Sequence, residues 1–131
     1  MAAEGVLLLD DDQDLLDTLA DTVRLVSGRP SLKLRNVAEL RSQREEALGC
    51  ALAILDIHLG ANQPSGLDAY ELLVAAGFRG RIVFLTGHAG DHPLVRRVAQ
   101  LGGVQSLRKP IELDAFRRLF QAAAAESSRG P

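Results

Sequence analysis

Four short runs of apolar residues, at 6–9, 51–55, 82–85 and, more weakly, 104–107, punctuate this chain. None alternates cleanly between apolar and polar residues, and near-continuous runs of this length suit strands buried on both faces, as in a parallel sheet. A fifth segment, 32–34, does alternate and reads as an edge strand. Between the runs the period changes to that of a helix. Leu15, Leu16, Leu19, Ala20, Val23 and Val26 form one apolar stripe, and Ala69, Leu72, Leu73 and Ala76 form another that stops at Gly77. Asn36 with Glu39 reads as a capping pair opening a short helix to about Leu48. Pro93 fits the first turn of a helix to about Leu101, closed by Gly102 and Gly103. Leu113, Phe116, Leu119, Phe120 and Ala123 line the last helix. Five strands alternating with five helices predict a doubly wound α/β domain: one five-stranded parallel sheet, right-handed crossovers, and helices on both faces.

Composition narrows the function classes. Of 131 residues, 47% are apolar and 24% charged, with a formal net charge of −2, values of a globular protein rather than a disordered or fibrous one. The near-neutral balance supplies no basic field, so direct nucleic-acid binding is not expected. No apolar stretch approaches the roughly 18 residues that span a bilayer, so no membrane partner is expected either. The start, MAAEG, lacks the basic and apolar stretches of a secretory signal. The single cysteine, Cys50, has no internal partner and reads as a small buried hydrophobe, which suits a reducing, cytoplasmic setting.

In doubly wound folds ligands bind outside the carboxyl ends of the strands. Asp10 and Asp11 follow the first run, Asp56 follows the 51–55 run in LAILDIHLG, Thr86 ends VFLTGHAG, and Lys109 ends LRKPI. One sheet edge should therefore gather three carboxylates, a hydroxyl and an ammonium. Carboxylates so placed repel unless a cation joins them. A hard divalent ion such as Mg²⁺ takes carboxylate and carbonyl oxygens plus waters. With a metal present, one Asp can serve as a nucleophile toward phosphorus, and phosphoryl transfer needs mainly positioning and charge neutralisation. Lys109 and the Thr86 hydroxyl would each meet one phosphoryl oxygen. Asp12 and Asp14, by contrast, read as residues capping or starting the first helix.

These residues, in this order and spacing, resemble the receiver domains of two-component response regulators over about residues 5–124. The resemblance implies a flavodoxin-like sheet of order 2-1-3-4-5, a receiver domain over 1–125 and a disordered tail over 126–131. It implies Asp56 as the phosphoacceptor, Asp10, Asp11, Asp56 and the backbone carbonyl of His58 as Mg²⁺ ligands, and Thr86 and Lys109 as sensors of the phosphoryl group. The bond between Lys109 and Pro110 is commonly cis in that family. The donor would be a histidine kinase or phosphotransfer protein touching the first helix around Leu15 and Leu16. The output face for a downstream protein would comprise the fourth helix (93–101), the fifth strand (104–107) and the fifth helix (112–125). Such a chain would catalyse its own phosphorylation and dephosphorylation without a separate substrate, and no output domain is expected after the last helix.

The sequence departs from the family in three places. Ser106 stands three residues before Lys109, where the family usually carries an aromatic switch. The loop IHLGANQPSG is about two residues longer than the family pattern before Gly66, and Gly87 replaces the more usual Ala after Thr86. His58 and His88 each lie two positions past a strand-end site residue, where family side chains tune phosphoryl lifetime; ordinary exposed loop histidines are the plainer reading. With His92 they show no zinc-ligand spacing. An alternative function, favoured by Ser106, is a phosphorylation-independent receiver-like protein-interaction module. A metal-dependent hydrolase would need a second acid/base group that only the histidines offer. A flavin site lacks its phosphate loop, since three Asp would repel the phosphate.

Overall fold

The computed structural model describes residues 5–60, 62–87, 93–102 and 104–128, with the backbone alone for 122–128. The strands are β1 (Val6–Leu9), β2 (Ser31–Leu34), β3 (Leu52–Asp56), β4 (Arg81–Thr86) and β5 (Gln105–Arg108). They form one parallel sheet of order β2-β1-β3-β4-β5, the order and fold class expected. The helices are α1 (Gln13–Ser27), α2 (Val37–Ser42), α3 (Arg44–Leu48), α4 (Gly66–Ala75), α5 (Pro93–Ala99) and α6 (Leu113–Ser128).

The continuous apolar runs have a simple cause: β1, β3 and nearly all of β4 are buried on both faces. Alternate residues feed two separate cores. Leu7, Leu9, Ala53, Leu55, Ile82 and Phe84 meet α2, α3, α4 and α5 on one side. Val6, Leu8, Leu52, Ile54, Val83 and Leu85 meet α1 and α6 on the other. At the sheet's far edge β5 is different, because Gln105, Ser106 and Arg108 are exposed and only Leu107 packs inward.

Local signals account for most helix ends. Asp12 caps α1 by accepting from the Leu15 N–H at 3.2 Å, which is the role the sequence suggested. Asn36 accepts from the Glu39 N–H at 2.8 Å, and Glu39 accepts in turn from the Arg35 N–H at 2.8 Å. Gly77, at φ +89°, closes α4, with the Phe78 N–H reaching back to the Leu73 carbonyl at 2.9 Å. The bond between Lys109 and Pro110 is cis.

Several boundaries differ from expectation: β3 and β4 end one residue later than the 51–55 and 82–85 runs, and α5 ends at Ala99 before the expected Leu101. The single helix expected over 36–48 is broken at Gln43 into α2 and α3. There the Ser42 hydroxyl donates to the Glu39 carbonyl at 3.2 Å, a local bond of the kind that bends helices. The fifth strand lies one residue later than 104–107, and the last helix runs three residues past Ala125, to Ser128. Residues 129–131, and Gly103 beside the end of α5, fall outside the described residues. The expected partner contact at Leu15 and Leu16 also divides: Leu16 is wholly buried in the α1/α6 core, so of the two only Leu15 reaches the surface.

Gly66, first residue of α4, packs directly on the end of β3. Its N–H donates to the Ile57 carbonyl at 2.9 Å. A Cβ there would overlap the Asp56 carbonyl oxygen and approach the Ile57 Cα at 3.0 Å. Both neighbours are backbone and cannot yield cheaply. Gly66→Ala should therefore destabilise the fold by about 1–3 kcal/mol. Gly102→Ala, where nothing lies within 4 Å of the new Cβ, should stay within about 0.5 kcal/mol of the parent. Urea unfolding of the two variants checks this; equal midpoints would contradict it.

Candidate functional site

The register of β1 against β3 pairs Leu9 with Leu55, so the next residues, Asp10 and Asp56, stand side by side at the carboxyl edge. Sheet-like bonds continue past the strand ends and hold them there. The Asp10 N–H donates to the Leu34 carbonyl at 3.1 Å, the Ile57 N–H to Leu85 at 2.9 Å, and the Lys109 N–H to Thr86 at 2.9 Å. Asp10 is 1% exposed and Asp56 4%, so the charges can interact strongly. Asp11, one residue on, is exposed. One carboxylate oxygen from each of Asp10, Asp11 and Asp56 lies within 4.8 Å of the others.

Lys109 answers this negative charge. Its Nζ donates to Asp10 Oδ2 at 2.8 Å and lies 3.3 Å from Asp56 Oδ2. The Asp12 N–H donates to Asp10 Oδ1 at 3.0 Å, and the His58 N–H makes a long 3.4 Å contact to Asp56 Oδ1. Burial raises the Asp10 carboxyl above its ordinary range, more than the Lys109 hydrogen bond lowers it. Burial, helped by the Asp10 charge, pushes Asp56 up to about 7 against the pull of Lys109. Burial also pulls the Lys109 ammonium down, but its bond to Asp10 and the Asp56 charge outweigh this and leave it raised. The Lys109 ammonium reaches two of the three carboxylates, which leaves the pocket short of positive charge. Three hard oxygen donors gathered in this way fit a divalent ion of the Mg²⁺ class.

Thr86 is 5% exposed at the end of β4, and His58 is half-buried just beyond β3. Ser106 is exposed on β5, paired across the sheet with Phe84. His88 and His92 lie outside the described residues. Beside Lys109 a groove of about 520 Å³ opens between α1 and the segment after β5, lined by Leu15, Thr18, Thr22, Pro110, Ile111 and Phe116.

Sequence reasoning missed the anchoring of the loop that follows β3. Ser65 and Asp68 form a capping box: the Ser65 N–H donates to Asp68 Oδ2 at 2.7 Å, and Ser65 Oγ accepts from the Leu67 N–H at 3.2 Å. The S-x-x-D spacing ahead of an apolar stripe was its readable sign. Also missed was Gly60, whose φ of +108° turns the loop back toward Asp11.

An ionised Asp56 strains the metal-free fold. The proton binds more tightly to native Asp56 (about 7) than to an ordinary Asp (3.8). Stability from this group is therefore lost as pH rises through that interval. Asp56→Asn, which cannot ionise, should stabilise the EDTA-treated protein at pH 8 by about 1–3 kcal/mol more than at pH 5. Denaturant unfolding at the two pH values checks this, and a pH-independent difference would count against it.

No protein-family model matches the chain. In sequence it is 28% identical over 130 residues to the response regulator protein TmoT of Ectopseudomonas mendocina, covering 96% of this chain and 57% of the relative. It is 29% identical over 133 residues to the response regulator protein TodT of Pseudomonas putida, covering 98% of this chain and 56% of the relative. The chain thus spans little more than half the length of these curated relatives. Among solved structures, a response regulator receiver domain from Clostridium thermocellum matches with TM-score 0.78 at 21% identity, covering 98% of both chains. The signal receiver domain of a putative LuxO repressor from Vibrio parahaemolyticus matches with TM-score 0.76 at 20% identity, again over 98% of both. In sequence and in fold, this chain resembles the receiver domains of two-component response regulators.

Proposed function

We propose that the chain is a phosphoacceptor signalling switch that takes a phosphoryl group from a histidine kinase or phosphotransfer protein onto Asp56. One observation carries this reading: a half-buried lysine bridges two buried strand-end carboxylates, with a third carboxylate alongside. A purely structural ion pair would need one carboxylate, not three. Asp10, Asp11 and Asp56, with the His58 backbone carbonyl, would hold Mg²⁺, whose bound charge offsets that of the phosphoryl oxygens. In the reaction an Asp56 oxygen forms a bond to phosphorus while the bond from phosphorus to the donor imidazole nitrogen breaks, its electron pair staying on the imidazole. Lys109 then pairs with one phosphoryl oxygen and the Thr86 hydroxyl donates to another. The added charge at Asp56, about one negative unit at neutral pH, biases a two-state surface.

The donor would approach over Leu15 and the adjoining groove, and the downstream partner would meet α5, β5 and α6. No helix among the described residues is long and apolar enough to cross a membrane, and a cytoplasmic site of action fits the phosphodonor. Exposed Ser106, in place of a switch aromatic, favours one second reading: an interaction module that does not use phosphorylation.

Incubation with a small phosphodonor such as acetyl phosphate separates the two. Label should enter the wild type only with Mg²⁺ and be lost in Asp56→Asn. An unlabelled wild type under those conditions supports the interaction module instead. If the His58 imidazole tunes the phosphoryl lifetime, His58→Ala should change the rate of label loss; an unchanged rate removes that role.

A further inference from the structure

We propose that Gln63 positions the water that hydrolyses the phosphoryl group on Asp56, and so sets its lifetime; this rests on the phosphoacceptor reading above. The loop from His58 to Ser65 belongs to the segment that is about two residues longer than the pattern the chain resembles, and its described residues are constrained toward both ends. At its far end the Ser65 and Asp68 capping box ties it to the start of α4. Near its start, Gly60 at φ +108° and Asn62 at φ 61° both occupy the left-handed region, which Gly and Asn tolerate better than other residues. The side chain of Gln63 lies beside Gly60, on the Asp11 side of the acidic cluster. A methyl group built on Gly60 would have Gln63 Cγ at 3.5 Å and Asp11 Oδ2 at 3.9 Å. Gln63 and Asp11 therefore converge on the same glycine, and a carboxylate oxygen of Asp11 lies within 4.8 Å of Asp10 and Asp56.

The carboxamide extends two bonds beyond that Cγ. Gln63 is exposed, and among the described residues no hydrogen bond or ion pair holds its side chain. Its chemistry suits the task. A carboxamide has a carbonyl oxygen to accept from a water and an NH₂ to donate to a phosphoryl oxygen. It carries no charge that would repel the phosphoryl group, unlike Asp11. In the hydrolysis the water oxygen forms a bond to phosphorus as the bond from phosphorus to the Asp56 oxygen breaks. The electron pair of that bond returns to the Asp56 carboxylate. One hydrogen of the water leaves with the released hydrogen phosphate and the other goes to solvent. Gln63 takes no proton; it orients the water.

The test uses the full chain labelled from acetyl [³²P]phosphate, with the donor then removed and the label followed. Gln63→Ala should slow label loss about fivefold, the loss of one neutral hydrogen bond, and leave the rate of labelling and the Mg²⁺ affinity unchanged. Gln63→Glu gives a readout that a merely structural role would not move. Its added carboxylate should tighten Mg²⁺ binding to the unphosphorylated chain at least about threefold by calorimetry. Label loss at the wild-type rate in Gln63→Ala overturns the proposal, and unchanged Mg²⁺ affinity in Gln63→Glu overturns the placement on which it stands. A wild type that takes no label at all overturns the phosphoacceptor reading and this role with it. The Mg²⁺ titration would still report whether the side chain reaches the pocket.

Discussion

Two carboxylates forced level with each other by a parallel register are the constraint around which this molecule is organised. Leu9 opposite Leu55 leaves Asp10 and Asp56 no choice but to meet, on neighbouring strands, in a nearly dry position. Neither can swing away, because each follows a strand whose side chains are locked into the two cores. Their mutual repulsion must be met by imported positive charge. Lys109, delivered from the opposite end of the chain, meets part of it. The remainder is a deficit that can be relieved by a proton on Asp56, whose carboxyl is pushed up to about 7, or by a bound cation.

That deficit explains why a site costly to the fold is worth keeping. The core on each side of the sheet supplies the stability, and the edge consumes some of it. Gly66 shows how closely the two are joined: α4 begins in contact with the Asp56 backbone, with no room for even a methyl group between them. A displacement of Asp56 is therefore felt at the start of α4 without any intervening side chain.

Much of this was legible in the residues. Three of the apolar runs end in Asp10, Asp56 and Thr86, and runs of that kind belong to two-face-buried strands, so the topology brings their ends together. Lys109 follows the fifth strand by the same logic. What could not be read were features decided by tertiary contacts. The break at Gln43 coincides with a serine hydroxyl donating to the Glu39 carbonyl, a bond no sequence pattern announces. Leu16 and Leu15 look equivalent in the sequence, yet one is core and the other lines a groove. The extra length after β3 was visible as a count, but not its direction, because two left-handed residues set its path and only one of them is a glycine.

The sheet is also lopsided. At one edge β2 carries Leu34 fully into the core, whereas at the other β5 offers three of its four side chains to solvent. Its hold on β4 is backbone hydrogen bonding, the packing of Leu107 and one exposed side-chain bond, in which Arg81 donates to Gln105 Oε1 at 2.9 Å. With the least side-chain burial of the five strands, β5 should be the first of them to open. The strand that leads directly into Lys109 is consequently the most weakly packed of the five, and the pocket's own cation follows it.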